Sequence, residues 1–119
     1  MKDFRNLQIW DRSHKVTLEV YRITRGFPKS ETYGLVSQMR RSVSSIPTNI
    51  AEGCGRNTEK DFARFLDNAM GSASELEYQL ILAHDLDYLS LEIYEAMNRE
   101  LTEIKRMLNS FIQKLRATD

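Results

Sequence analysis

Proton transfer, metal binding and nucleophilic attack each need particular side chains at particular spacings, and this sequence supplies few of them. Its histidines are His14 and His84, and its one thiol is Cys54. A di-metal site in a helical bundle draws Glu-x-x-His pairs from two helices. Here Asp11 stands three residues before His14 and Ile81 three before His84, so that ligand set is missing. Cys54 lies between Gly53 and Gly55 with neither histidine close in sequence, and reads as a small residue in a turn that ends a helix. Gly53-Cys54-Gly55-Arg56 lacks the Gly-Lys-Ser/Thr ending of a phosphate loop and follows a helix rather than a strand. Asp85-x-Asp87 is too short for a calcium loop. No catalytic, cofactor-binding or metal-binding residue is assigned, no small-molecule substrate is evident, and no enzyme activity is expected.

Binding chemistry is better represented. Arg41, Ser44, Ser45 and Thr48 share the polar side of one helical segment, flanked by Gln38 and Arg40. Hydroxyls beside arginine suit contacts to phosphate, and they equally suit close packing of helices between subunits. With Arg12, Lys15 and Arg22 from an earlier helix, Arg40, Arg41 and Arg56 form a candidate surface for RNA, DNA or another partner. The formal net charge is zero, yet residues 1–57 carry ten Lys or Arg against five Asp or Glu, while residues 58–119 carry seven against twelve. An antiparallel bundle turns that asymmetry into a basic side and an acidic side, open to pairing within or between subunits.

Four helices would position these groups. Tyr94, Met97, Leu101, Ile104, Leu108, Phe111 and Leu115 alternate at spacings of three and four, the pattern of a heptad seam, behind a Ser90 N-cap. Phe62, Phe65, Leu66, Ala69, Ala73, Leu76, Leu80 and Ala83 share one face of a helix from about Thr58 to His84. Leu35, Met39, Val43, Ile46 and Ile50 mark another, about Thr32 to Glu52. Pro47 lacks the N–H that would reach the Val43 carbonyl, which predicts a kink or local break at Ser45 to Pro47. Gly53 and Gly55 are expected to end that helix in left-handed conformations.

The first helix, about Leu7 to Arg25, bears two apolar stripes: Leu7, Trp10, His14, Leu18 and Tyr21 on one side, Ile9, Val16, Val20 and Ile23 nearly opposite. Ser13, Thr17 and Thr24 lie between them. One core cannot bury both stripes, so the second, Ile9, Val16, Val20 and Ile23, is expected to meet another copy of the chain.

A chain of 119 residues with 5 Gly and 2 Pro suits one domain of long helices over residues 1–119: an all-α, antiparallel up-down-up-down four-helix bundle with its second helix kinked at Pro47. No apolar run reaches the roughly 20 residues needed to span a bilayer. The opening residues lack the apolar stretch of a signal peptide, and a lone cysteine suits reducing surroundings, so the expected location is cytoplasmic, away from membranes.

Glu31, Tyr33, Gly34, Leu35, Gln38, Arg40 and Arg41, followed by Ser45, Ile46, Pro47, Asn49, Ile50, Ala51, Glu52, Gly53, Gly55 and Arg56, resemble the signature of the bacterial four-helix bundle proteins encoded in 23S rRNA intervening sequences. Trp10, Phe62, Phe65, Leu66, Ala69, Gly71, Ser72, Glu75, Leu76 and Glu77 extend the similarity over nearly the whole chain. The resemblance implies a four-helix bundle that assembles as a homopentamer and has no assigned catalytic activity. A related branch, the accessory variability determinants of diversity-generating retroelements, forms pentamers that bind nucleic acid through a basic surface. Within the signature, Ser45, Pro47, Asn49, Glu52, Gly53 and Gly55 are the most specific positions, and Asn49 and Glu52 are expected to serve the backbone near Pro47.

Overall fold

The computed structural model describes residues 3–117. Four α-helices dominate: α1 (Gln8–Thr24), α2 (Leu35–Cys54), α3 (Glu59–Asp85) and α4 (Leu91–Ala117), with 3-10 turns Phe4–Asn6 and Lys29–Glu31 ahead of α1 and α2. Cross-helix contacts fix their directions. Thr17 meets Val43 while Thr24 meets Arg40, Ser45 meets Ser72 while Gly53 abuts Phe62, and Glu77 meets Lys105 while Asp67 meets Arg116. In each pair one position rises as the other falls, so consecutive helices run antiparallel, and Arg12 to Glu100 closes α4 onto α1. No helix among the described residues is long and apolar enough to cross a membrane.

The stripes of α3 and α4 fall where their periodicity puts them. All eight apolar residues on the predicted face of α3 are buried; Met97, Leu101, Ile104, Leu108 and Leu115 of α4 are buried with Ile112, while Tyr94 and Phe111 pack at the edge. Both helix starts are capped by hydroxyls. The Asp61 N–H donates to Thr58 Oγ1 at 3.1 Å and the Ile93 N–H to Ser90 Oγ at 3.2 Å, satisfying backbone donors that a helix start leaves open. Between the two helices the Tyr88 N–H donates to the Ala83 carbonyl, with Asp87 in the left-handed region at φ 64°, a conformation Asp tolerates better than most residues.

The second helix starts later than its stripe suggests, at Leu35 rather than Thr32, because Glu31 works as its cap. The Leu35 N–H donates to Glu31 Oε1 at 3.2 Å, and the Tyr88 hydroxyl donates to Glu31 Oε2 at 2.9 Å. Gly34 makes room: a Cβ there would stand 2.9 Å from Glu31 Oε1.

Pro47 does not break α2, which stays helical from Leu35 to Cys54. Its ring is buried, and the Val43 carbonyl that it leaves without an intrahelical donor accepts instead from the Thr17 hydroxyl of α1, at 3.2 Å. Neither Gly53 nor Gly55 is left-handed, which corrects the expectation for both: no glycine among the described residues has positive φ, and Gly55 caps the helix at φ −83°. Gly53 is needed for space. A Cβ on it would lie 2.6 Å from Phe62 Cδ1 and 3.1 Å from Phe65 Cβ, so its absence lets the end of α2 close onto the start of α3.

Candidate functional site

Helix α1 decides what the surface can do, and its buried side is the reverse of the one predicted. Ile9, Val16, Val20 and Ile23 are each 9% exposed or less and belong to the core of their own chain, so they cannot form the contact with a second copy. Ser13, Thr17 and Thr24 explain the reversal. Their hydroxyls donate to the Trp10, Ser13 and Val20 carbonyls at 2.7–2.9 Å, which satisfies each polar group and lets it sit in the core beside the β-branched residues. The stripe left outside is the other one. Leu18 is 57% exposed and Tyr21 39%, while Trp10 and His14 are half-buried with their rings stacked at 4.9 Å.

The six candidate cations do not act as one field. Arg12 grips Glu100 through two hydrogen bonds of 2.7 and 2.9 Å, with Glu103 nearby, and that bond to Glu100 holds its guanidinium pKa above the usual value. Lys15 pairs with Asp11 at 2.9 Å and Arg22 with Glu19. Arg40 bonds inward: its Nε donates to Thr24 Oγ1 at 3.0 Å and its Nη2 to the Tyr21 carbonyl, with the guanidinium 4.7 Å from the Tyr21 ring centre. Arg56 lies 4.6 Å over the Phe65 ring, shared with Arg64 on that ring. Arg41 stays exposed on the outer side of α2.

Hydroxyl chemistry on α2 is also spent internally. Ser44 Oγ donates to the Arg40 carbonyl and Thr48 Oγ1 to the Ser44 carbonyl, each at 2.7 Å. A hydroxyl has one proton, so a phosphate arriving here meets these two hydroxyls as acceptors, and Arg41 is the exposed donor beside them. What these residues present outward is small side chains. A groove of about 410 Å³ opens beside them, between the end of α1 and the start of α2, lined by Tyr21, Tyr33, Val36, Arg40, Arg41 and Ser44. Tyr33, at 96% exposure, gains almost nothing from its own chain.

The signature residues are mostly structural. Asn49 Nδ2 donates to the Ser45 carbonyl at 2.8 Å and to Ser45 Oγ at 2.9 Å, and Ser45 Oγ meets Ser72 Oγ of α3 at 2.9 Å. This chain of bonds ties α2 to α3 two residues before the buried Pro47. Glu52 is exposed on the last turn of α2. Gln79 is a buried polar residue that sequence reasoning missed; its Oε1 has no hydrogen-bond partner among the described residues. Its place near the edge of the apolar arc of α3 was the available signal.

The chemistry-bearing side chains are dispersed. His14 stacks on Trp10, His84 tilts against Tyr94 at 5.1 Å, and Cys54 is buried at the end of α2. Among the described residues no group of three or more His, Cys, Asp or Glu converges to hold a metal ion. A second groove, about 620 Å³, runs between α1 and α4, lined by Val16, Ile93 and Met97 and by the paired Arg12 and Glu100.

Comparison with known proteins agrees with this architecture. The crystal structure of a protein with unknown function from the S23 ribosomal protein family, from Bacteroides thetaiotaomicron, superposes with a TM-score of 0.82 at 30% identity, covering 87% of this chain and 97% of that chain. No curated protein matches the chain. The model of the 23S rRNA-intervening sequence proteins matches residues 5–110, through all of α1, α2 and α3 and most of α4; the chain belongs to that family.

Proposed function

We propose that the chain is a non-catalytic scaffold that assembles with copies of itself through the outer face of α1 and α2. The observation that carries this reading is the exposed stripe of α1, Leu18 and Tyr21, continued by Tyr33, next to a ridge of small residues on α2 whose hydroxyl protons are already used. Exposed apolar side chains that adjoin one another on a folded domain mark interaction surfaces. The family resemblance extends the reading to a ring of five copies, and the lone Cys54 suits a reducing, cytoplasmic setting for it.

Substituting Leu18→Asp tests it. Leu18 is exposed in the single chain, so the variant keeps the helical circular-dichroism spectrum and melts cooperatively, while size-exclusion chromatography with light scattering reports a smaller particle than wild type. A Leu18→Asp particle of unchanged mass would overturn the choice of face.

A second reading, binding of single-stranded nucleic acid at the same face, is favoured by one observation: Tyr33 stands open beside Arg41. Stacking on an aromatic ring and a nearby guanidinium are the means by which such strands are held. The neutralised Arg12, Lys15 and Arg22 make this the lesser reading. Anisotropy titrations of a labelled RNA separate the two: affinity that falls steeply with added salt and is lost in Arg41→Ala supports strand binding, and affinity indifferent to both removes it.

A further inference from the structure

Self-assembly through one face needs a surface to receive it, and helix α3 carries a candidate on its outer side. Gly71, Ser74, Tyr78 and Ile81 follow at spacings of three, four and three, a short heptad seam turned away from the core seam of the same helix. The chain leaves it uncovered: Tyr78 is 62% exposed, Ile81 is 42% exposed, and a Cβ on Gly71 would meet nothing within 4 Å. A glycine inside a long helix costs about 1 kcal/mol relative to alanine, and within this chain nothing approaches closely enough to require it.

Charge selects the occupant. Residues 65–98, which run from α3 into α4, contain seven Asp or Glu and no Lys or Arg. Residues 20–51, which run from the end of α1 through most of α2, contain five Lys or Arg and one acid, Glu31, already bound to Leu35 and Tyr88. Arg22 is paired with Glu19 and Arg40 bonds inward, and Asp67 and Glu77 are paired with Arg116 and Lys105. Arg25 and Arg41 face outward on the basic side, and Glu75 and Asp85 on the acidic side. The antiparallel order puts the end of α1, the start of α2 and the end of α3 at the same end of the bundle. A neighbour related by rotation about an axis along the helices therefore brings the two surfaces level.

We infer that the α3 seam around Tyr78 and Ile81 is the docking surface for the Leu18, Tyr21 and Tyr33 face of a second copy, so that copies join head to tail. This rests on the self-assembly reading and adds to it which surface receives the α1–α2 face. A contact between unlike surfaces closes only as a ring, or else continues as a filament, whereas a like-to-like contact stops at two copies.

Two exposed substitutions, one on each surface, test it: Leu18→Asp and Tyr78→Glu, each checked for an intact helical spectrum. Alone, each variant retains one working half and sediments as a single chain. Mixed, the intact α3 seam of one and the intact α1–α2 face of the other make a single contact, and a particle of twice the 13.9 kDa chain mass appears. If Tyr78→Glu assembles like wild type, the α3 seam is not the receiving surface, although self-assembly stands. If both variants are single chains and their mixture remains so, the contact is not between these two surfaces. Wild-type protein that is itself a single chain removes the self-assembly reading and this inference with it.

Discussion

Thr17→Val keeps the shape of a core side chain and deletes one hydroxyl. Thr17 Oγ1 donates toward two carbonyls, Ser13 at 2.8 Å and Val43 at 3.2 Å. The Ser13 carbonyl already has its own helical donor, the Thr17 N–H, but the Val43 carbonyl lost its donor to Pro47. The substitution therefore falls on Val43, whose carbonyl is left buried and unpaired at a cost of about 1–3 kcal/mol. For a domain of this size that lowers the melting temperature by about 4–12 °C. The diagnostic measurement repeats the substitution in a Pro47→Ala background, where the restored N–H at position 47 reaches the Val43 carbonyl. There Thr17→Val costs less than about 0.5 kcal/mol, and the difference between backgrounds is the coupling of the hydroxyl to the proline. Thermal and urea unfolding by circular dichroism measure all four proteins at one fixed concentration, because assembly shifts apparent stability. Equal cost in both backgrounds would refute the assignment of Thr17 to the carbonyl that Pro47 orphans.

Gly53→Ala forces a methyl to 2.6 Å from the Phe62 ring and destabilises by about 1–3 kcal/mol, read as a lower urea midpoint with an unchanged slope; an unchanged midpoint would mean that the α2–α3 junction yields freely. Gln79→Leu removes a buried carbonyl oxygen that has no partner among the described residues and raises stability by about 1 kcal/mol, and a lower melting temperature would show that Oε1 is satisfied in solution. The bond from Tyr88 to Glu31, aided by burial and by the Glu31 charge, holds the phenol above the usual tyrosine range. A raised folded pKa means that this contribution to stability is complete below about pH 10, the ordinary tyrosine value, and is lost as pH rises through the higher folded value. Subtracting the phenolate absorbance titration of Tyr88→Phe from wild type therefore leaves one phenol ionising later than free tyrosine, and ionisation at the ordinary value would contradict the Glu31 bond.

Helices α3 and α4 were legible in the sequence because each buries a single stripe and starts at a hydroxyl cap, so periodicity and capping agree. Helix α1 was legible as a helix and not as a surface. Both its stripes are apolar, and the choice between them turns on Ser13, Thr17 and Thr24, whose hydroxyls become core-compatible by bonding the preceding turn. Had these three been counted as buried, they would have joined Ile9, Val16, Val20 and Ile23 in one continuous arc. The pairing of the basic residues was hidden for a different reason. Arg12 finds Glu100 and Arg40 finds Thr24 only after folding, and no spacing rule along the chain reveals such pairs. Gly53 shows the same limit: glycine next to a helix end suggests a left-handed turn, whereas the requirement comes from Phe62 on the next helix.

The central claim is that the outward stripe of α1 is an assembly surface, and sedimentation equilibrium of the wild-type protein over a concentration series tests it most directly. The account predicts a mass of at least two chains, a whole multiple of 13.9 kDa, that holds steady down to micromolar protein, with five as the multiple that the family resemblance implies. A mass of 13.9 kDa across that range would contradict it.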